Sequence, residues 1–392
     1  MFDFDQQINR GAAASTKWNN QSADSGTRDL LPFWIADMDF MAPPFIQQAI
    51  QTRLDHGVHG YTDTPAGLTE LVIDWLRRHC LYQTASDEVR WLPGVVPGIN
   101  LAAKACAEPG GAIAVPTPVY HPFLTVPRNA GQTLVSMPLV IENDRWVMDF
   151  EQMAAIADAP GVKGTITSLL LSNPQNPTGR IYDRAELETL AEFCLARDIT
   201  IISDEIHSPI IIDTDRVHQS IAGLSNEVAQ HCITLHAATK AYNVAGLNAA
   251  IAIISDAALR QRFDAVERGL VSAISPFAYA VAAAAYADSS SYLSELRAYL
   301  AVNHQRLFSA VSAVPGVQMT PVEATYLAWL DIRSTGIEEP ETHLRRHGLR
   351  LSPGQDFGAP GFVRFNFAAP RAVVDEGIRR LVSALGDVPG VN

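Results

Sequence analysis

Short apolar runs of strand length alternate with longer amphipathic stretches through the first two thirds of the chain. The runs are AIAV at 112–115, ITSLLL at 166–171, ITII at 199–202, CITL at 232–235 and AAIAII at 249–254. They are apolar at consecutive rather than alternate positions, which predicts strands buried on both faces of a mostly parallel sheet. After Pro65, the residues Leu68, Leu71, Val72, Trp75 and Leu76 recur at helical spacing. From about Arg184 to Arg197, so do Leu187, Leu190, Ala191, Cys194 and Leu195. Both segments are expected to be amphipathic helices. Beyond about Ser275 the rhythm changes to a long helical stretch, roughly Phe277 to Val314. Isolated strands YLAWLDI (326–332) and FVRFNFA (362–368) come next, then a final helix near 371–385. The pattern predicts an α/β protein with a large domain over 42–285. A smaller α+β domain is expected from both termini, 1–41 and 286–392.

Composition removes several classes of function. The 392 residues are 47% hydrophobic and 18% charged, enough for a large core and too apolar for wholesale disorder. A net charge of −13 argues against a nucleic-acid backbone as partner. The opening MFDFDQQINR carries acids where a signal peptide carries bases. The most apolar stretch, around Ala278 to Ala287, is short and ends in DSSS, so no membrane span is expected. Cys80, Cys106, Cys194 and Cys232 form no CxxC pair and no metal-ligand spacing with histidine. Reduced thiols in a cytoplasmic protein without a metal centre are the natural reading.

The chemistry lies at the strand ends. Ligands of open α/β sheets bind at the carboxyl ends of the strands. Here ITSLLL runs into SNPQNPTG, ITII into SDEIH and CITL into HAATK, so three polar segments meet at one edge. A pyridoxal 5′-phosphate (PLP) enzyme needs a lysine for the cofactor aldehyde and an acid to keep the pyridine nitrogen protonated. It also needs a donor to the phenolic oxygen, a ring to stack on the pyridine, and phosphate donors. Asp204 is the candidate acid: costly if buried alone, it gains a charge-assisted hydrogen bond from a pyridinium N–H. Lys240 is the candidate amine, at the end of a strand-to-loop run.

NPQNPTG, SDEIH and the lysine of HAATKAYNVAGL, in this order and spacing, resemble the fold-type I PLP enzymes, the aspartate aminotransferase superfamily. KWNN (17–20), PFWIADMDF (32–40), HGYT (59–62), LPGVVPGI (92–99), PTPVYHPF (116–123) and PGFVRFNFA (360–368) narrow the resemblance. They are similar to the MalY/PatB-type cystathionine β-lyases, over nearly the whole chain. The resemblance implies Lys240 as the Schiff-base lysine, Asp204 as partner of the pyridine nitrogen and Asn176 as donor to the phenolic oxygen, with His207 assisting. It implies Tyr120 stacked on the ring and in a catalytic position, and Arg364 as a fork for the substrate α-carboxylate. Tyr61 would reach the phosphate of a neighbouring subunit, making the enzyme a homodimer. Two positions depart from the pattern: Ala237 stands where a serine is usual, and Asn248 where aminotransferases place an arginine. Thr239 and the backbone amides near Val96, Gly98 and Ile99, at a helix start interrupted by Pro97, are left to hold the phosphate.

Taken singly, these residues have plainer readings. Lys240 alone is a surface charge, Asp204 a helix N-cap, Tyr120 a core aromatic and Arg364 an exposed strand residue. His121 carries little weight. The expected activity is α,β-elimination from a β-thio-substituted L-amino acid such as L-cystathionine, a small-molecule substrate. An aminotransferase is the alternative, and a PLP-binding regulatory protein without turnover is the alternative of another class.

Overall fold

The computed structural model describes residues 2–19 and 30–386. Asn20 of the KWNN motif, and the parts of the terminal ranges at 1, 21–29 and 387–392, lie outside the described residues. All five apolar runs are strands of one eight-stranded sheet. In chain order its strands are Val89–Leu92 (β1), Ala112–Thr117 (β2), Thr133–Glu142 (β3), Arg145–Met148 (β4), Ile166–Ser172 (β5), Thr200–Asp204 (β6), Cys232–His236 (β7) and Ala250–Ile254 (β8). Their spatial order is β1-β8-β7-β6-β5-β2-β3-β4. Leu169, Leu170 and Leu171 have no solvent contact although successive side chains point to opposite faces, so both faces of β5 are covered. Truncating any one of the three to alanine costs roughly 2–5 kcal/mol.

The pairings from β3 through β2, β5 and β6 to β7 are parallel, and the outer ones are not. A parallel connection needs a crossover of a dozen or more residues, usually helical. The chain between His236 and Ala250 consists of turns without a helix, and β8 returns antiparallel to β7. At the other edge Asn143 and Asp144 both take positive φ (49° and 60°), and the two-residue turn folds β4 back against β3.

The two amphipathic segments are helices, Leu68–His79 and Arg184–Leu195. Leu71, expected on the apolar face of the first, is exposed instead. Asp183 caps the second, and its own amide donates to Glu186 Oε2 at 2.9 Å. The expected single stretch from Phe277 to Val314 is two helices, Pro276–Tyr286 and Tyr292–Val311. Asp288 Oδ1 accepts from Ser290 N (2.8 Å) and Ser290 Oγ from Tyr292 N (3.2 Å), local bonds that compete with the helix.

A four-stranded antiparallel sheet is built from Gln318–Met319 (β9), Leu327–Asp331 (β10), Ser352–Pro353 (β11) and Phe362–Asn366 (β12), in the order β9-β10-β12-β11. The opening segment lies against it: Leu31–Pro32 pairs parallel with Leu349–Arg350, and Phe33 stacks on Phe365 with ring centroids 4.3 Å apart. Among the described residues no helix is long and apolar enough to cross a membrane.

Candidate active site

Three strands of the large sheet end at one cavity of about 290 Å³, near the lower end of the roughly 300–1,000 Å³ of small-molecule sites. From the end of β5, the loop 173–179 brings in Asn176; β6 ends on Asp204, with His207 one turn later; the loop after β7 brings Thr239 and Lys240. Tyr120, just before the His121–Asn129 helix, closes one side, and its amide donates to the Asn176 carbonyl at 3.0 Å. The remaining wall is the start of the Val95–Ala105 helix with Asn248 and Ala237.

Lys240 Nζ donates to the Ala36 carbonyl at 2.6 Å, and Tyr326 Oη donates to the same oxygen at 3.0 Å. Burial pulls the Lys240 amine down to about 8, and the Arg364 cation pulls in the same direction. Asp204 is not a helix cap: its Oδ1 accepts one backbone bond, from Ile206 N at 3.1 Å, and a turn follows. Burial raises its carboxyl to about 7, against the opposing pull of that N–H and of Lys240. A buried carboxylate with one protein donor has room for another.

Arg364 is buried, 4% exposed, which overturns the plain reading of a solvent-facing strand residue. Its Nη1 donates to Asn176 Oδ1 (2.8 Å), and its Nη2 to the Trp34 carbonyl (2.7 Å) and Ser352 Oγ (3.2 Å). The guanidinium lies 4.7 Å from the centroid of the Phe357 ring, and its Nε has no partner among the described residues. His207 is buried with Nδ1 likewise unpartnered, and burial holds its ring well below the usual histidine range, so it is neutral.

The helix start differs from expectation. The helix begins at Val95, and the Gly98 amide already donates to the Gly94 carbonyl at 3.2 Å. Gly98 instead packs on the sheet, where an added Cβ would meet Leu235 and Leu92 at 2.9 Å; Ile99 is core. Neither lines the cavity; Val95 and Val96 do, and their amides have no partner among the described residues. Tyr61 is fully exposed and does not line the cavity of its own chain. Sequence reasoning missed the Ala36 carbonyl, a main-chain atom without a side-chain signature. It also missed Ser172 and Ile206 in the lining.

The residues present fit PLP. An amine shifted toward neutrality, an under-partnered carboxylate, a half-buried aromatic and free helix amides surround one cavity, the donor set that this cofactor uses.

Residues 28–382 match the family model described as aminotransferase class I and II. The chain is 34% identical to cystathionine beta-lyase PatB of Bacillus subtilis (strain 168), over 98% of this chain and 100% of that one. Among solved structures it resembles OvoB (37% identity, TM-score 0.93, 99% of this chain and 100% of that one). It also resembles cystalysin of Treponema denticola, which contains pyridoxal 5′-phosphate (26% identity, TM-score 0.92, 99% of each chain).

Proposed function

The chain belongs to the aminotransferase class I and II family, in the branch that holds the PatB-type cystathionine β-lyases, and on that premise we propose that it is a PLP-dependent carbon–sulfur β-lyase. Its substrate is a β-thio-substituted L-amino acid such as L-cystathionine, and its products are a thiol, pyruvate and ammonia. The observation that carries this reading is the convergence of Lys240, Asp204 and Tyr120 on one cavity, with Arg364 bound to the Asn176 that lines it.

Bound PLP supplies an electron sink for the pair released at the substrate Cα. Asp204, short of protein donors, would keep the pyridine nitrogen protonated. Asn176 has its Oδ1 committed to Arg364, which leaves its Nδ2 to donate to the phenolic oxygen. His207, which lines the same cavity, would assist there, and Tyr120 would stack on the ring. Val95 and Val96 amides, the Thr239 hydroxyl and Asn248 serve the phosphate. Arg364 orients the substrate through its α-carboxylate. Lys240, neutral above about pH 8, takes the Cα proton. The C–S bond then breaks with its electron pair on sulfur, which leaves as thiol after gaining a proton. The unsaturated amino acid adds water and falls to pyruvate and ammonia.

The same reading gives a homodimer in which Tyr61 serves the neighbouring subunit's phosphate; its full exposure supports that placement. It divides the chain into 42–285 and the small unit of 1–41 with 286–392, supported by the pairing of Leu31–Pro32 with Leu349–Arg350. Four buried, unpaired cysteines support a reducing, cytoplasmic setting. The test is to incubate the full chain, loaded with PLP, with L-cystathionine and measure pyruvate. Pyruvate is expected, and Lys240→Ala abolishes both it and the visible absorption of bound coenzyme. Amino-group exchange between an amino acid and a keto acid, without pyruvate, would replace this reading with the aminotransferase.

A further inference from the structure

Behind the cofactor edge lies a second set of buried polar groups that the reaction does not use. Glu205 has no solvent contact; its Oε1 accepts from Ser203 Oγ (3.0 Å) and Ser220 Oγ (2.9 Å), and its Oε2 faces His218 Nε2 at 2.9 Å. The ligand atoms of Cys80, Glu205 and His218 lie within 4.8 Å of one another, the spacing of a metal trio. Their chemistry does not favour one. The Glu205 and His218 atoms are already hydrogen-bonded to each other, and burial raises the Cys80 thiol so that it stays protonated, a poor ligand.

The position of Glu205 matters more than its ligand character. Asp204 lines the cavity, whereas Ser203 and Glu205 bond to each other away from it. The Glu205 amide donates to the Leu235 carbonyl at 2.8 Å, extending the β6–β7 ladder by one residue. Its side chain is therefore tied on one side of the turn, and the next amide, Ile206 N, is aimed at Asp204 Oδ1. We propose that Glu205 is a positioning residue: held by His218, Ser203 and Ser220, it fixes the peptide that orients the Asp204 carboxylate toward the pyridine nitrogen. This rests on Asp204 being the partner of that nitrogen. Releasing Glu205 frees the turn, loosens the Ile206 bond and lets the Asp204 carboxylate rotate away from the ring nitrogen.

The test compares two ligands on coenzyme-free full-length protein: PLP, and its analogue with carbon in place of the ring nitrogen. Binding is followed by quenching of tryptophan fluorescence. In Glu205→Ala, PLP is expected to bind about 10-fold more weakly and the analogue nearly unchanged. Glu205→Gln, which keeps the two serine bonds, is expected to lose about 3-fold for PLP alone. It also carries the comparison if the alanine variant does not fold. Equal losses for both ligands, as a purely structural role gives, or no loss for PLP, overturn the proposal. Asp204→Asn separates the two readings: it is expected to abolish the preference for PLP over the analogue. A preference that survives in Asp204→Asn refutes the role of Asp204 itself rather than that of Glu205.

Discussion

Asp204 and Glu205 are adjacent buried acids at the end of one strand, and they are treated in opposite ways. Glu205 is saturated by two hydroxyls and an imidazole from its own chain. Asp204 receives one backbone N–H and is raised to about 7 by burial. Folding alone selects against a carboxylate left so short of partners, since an unsatisfied buried polar group costs about 1–3 kcal/mol or more. The saturated acid belongs to the scaffold, and the unsaturated one is kept open for a ligand.

The contrast breaks most visibly at Asp204. Asp204→Asn is expected to lower kcat/KM for L-cystathionine by about 10³-fold, measured by pyruvate release. The same substitution stabilises the coenzyme-free protein, with a definite pH dependence. A carboxyl whose folded pKa lies above its unfolded value contributes stability below the unfolded pKa and loses it as pH rises through the folded one. The gain from asparagine therefore grows between about pH 4 and 7 and is flat above, as urea unfolding across that range would show. Glu205→Ala is expected to do the reverse, costing the coenzyme-free protein about 3 kcal/mol by leaving His218, Ser203 and Ser220 unpaired.

A smaller effect is expected at Arg364. Its two terminal nitrogens are held by Asn176, Trp34 and Ser352, a planar arrangement that an ammonium cannot copy. Arg364→Lys raises KM for cystathionine by roughly 10- to 50-fold with less change in kcat, corresponding to about 1.4–2.3 kcal/mol of lost binding. The gentlest test alters no residue. Because Lys240 is lowered to about 8, its neutral amine dominates above that pH. The rate of PLP uptake by coenzyme-free protein should rise with its midpoint near pH 8 and level off about one pH unit higher. An ordinary lysine would carry the rise toward about 10.4.

Much of the cofactor edge was legible because parallel strands buried on both faces leave an unbroken apolar signature, and the polar residues that end them stand out. Lys240, Asp204 and Asn176 come directly after such runs, and all three line the cavity. Arg364 was harder, since alternation with Val363 and Phe365 says which face a residue takes but not whether that face is covered. The Gly98 and Ile99 amides were expected at the helix start, but the helix begins at Val95, so the Gly98 amide is already bonded within it. Glu205 and His218 stand 13 positions apart across a loop, and no periodicity links them. The antiparallel return of β8 goes with a connection that forms turns and no helix, a feature the apolar runs on either side do not reveal.

The Ala36 carbonyl that receives Lys240 has a further meaning for how such a site can drift over generations. A contact made by the main chain is not deleted by replacing the side chain that happens to sit there. Mutation can retune the walls of this cavity one residue at a time while the reactive amine keeps its resting place. Chemistry anchored in that way is inherited with the course of the backbone, and new substrates can be explored without first losing the old foothold.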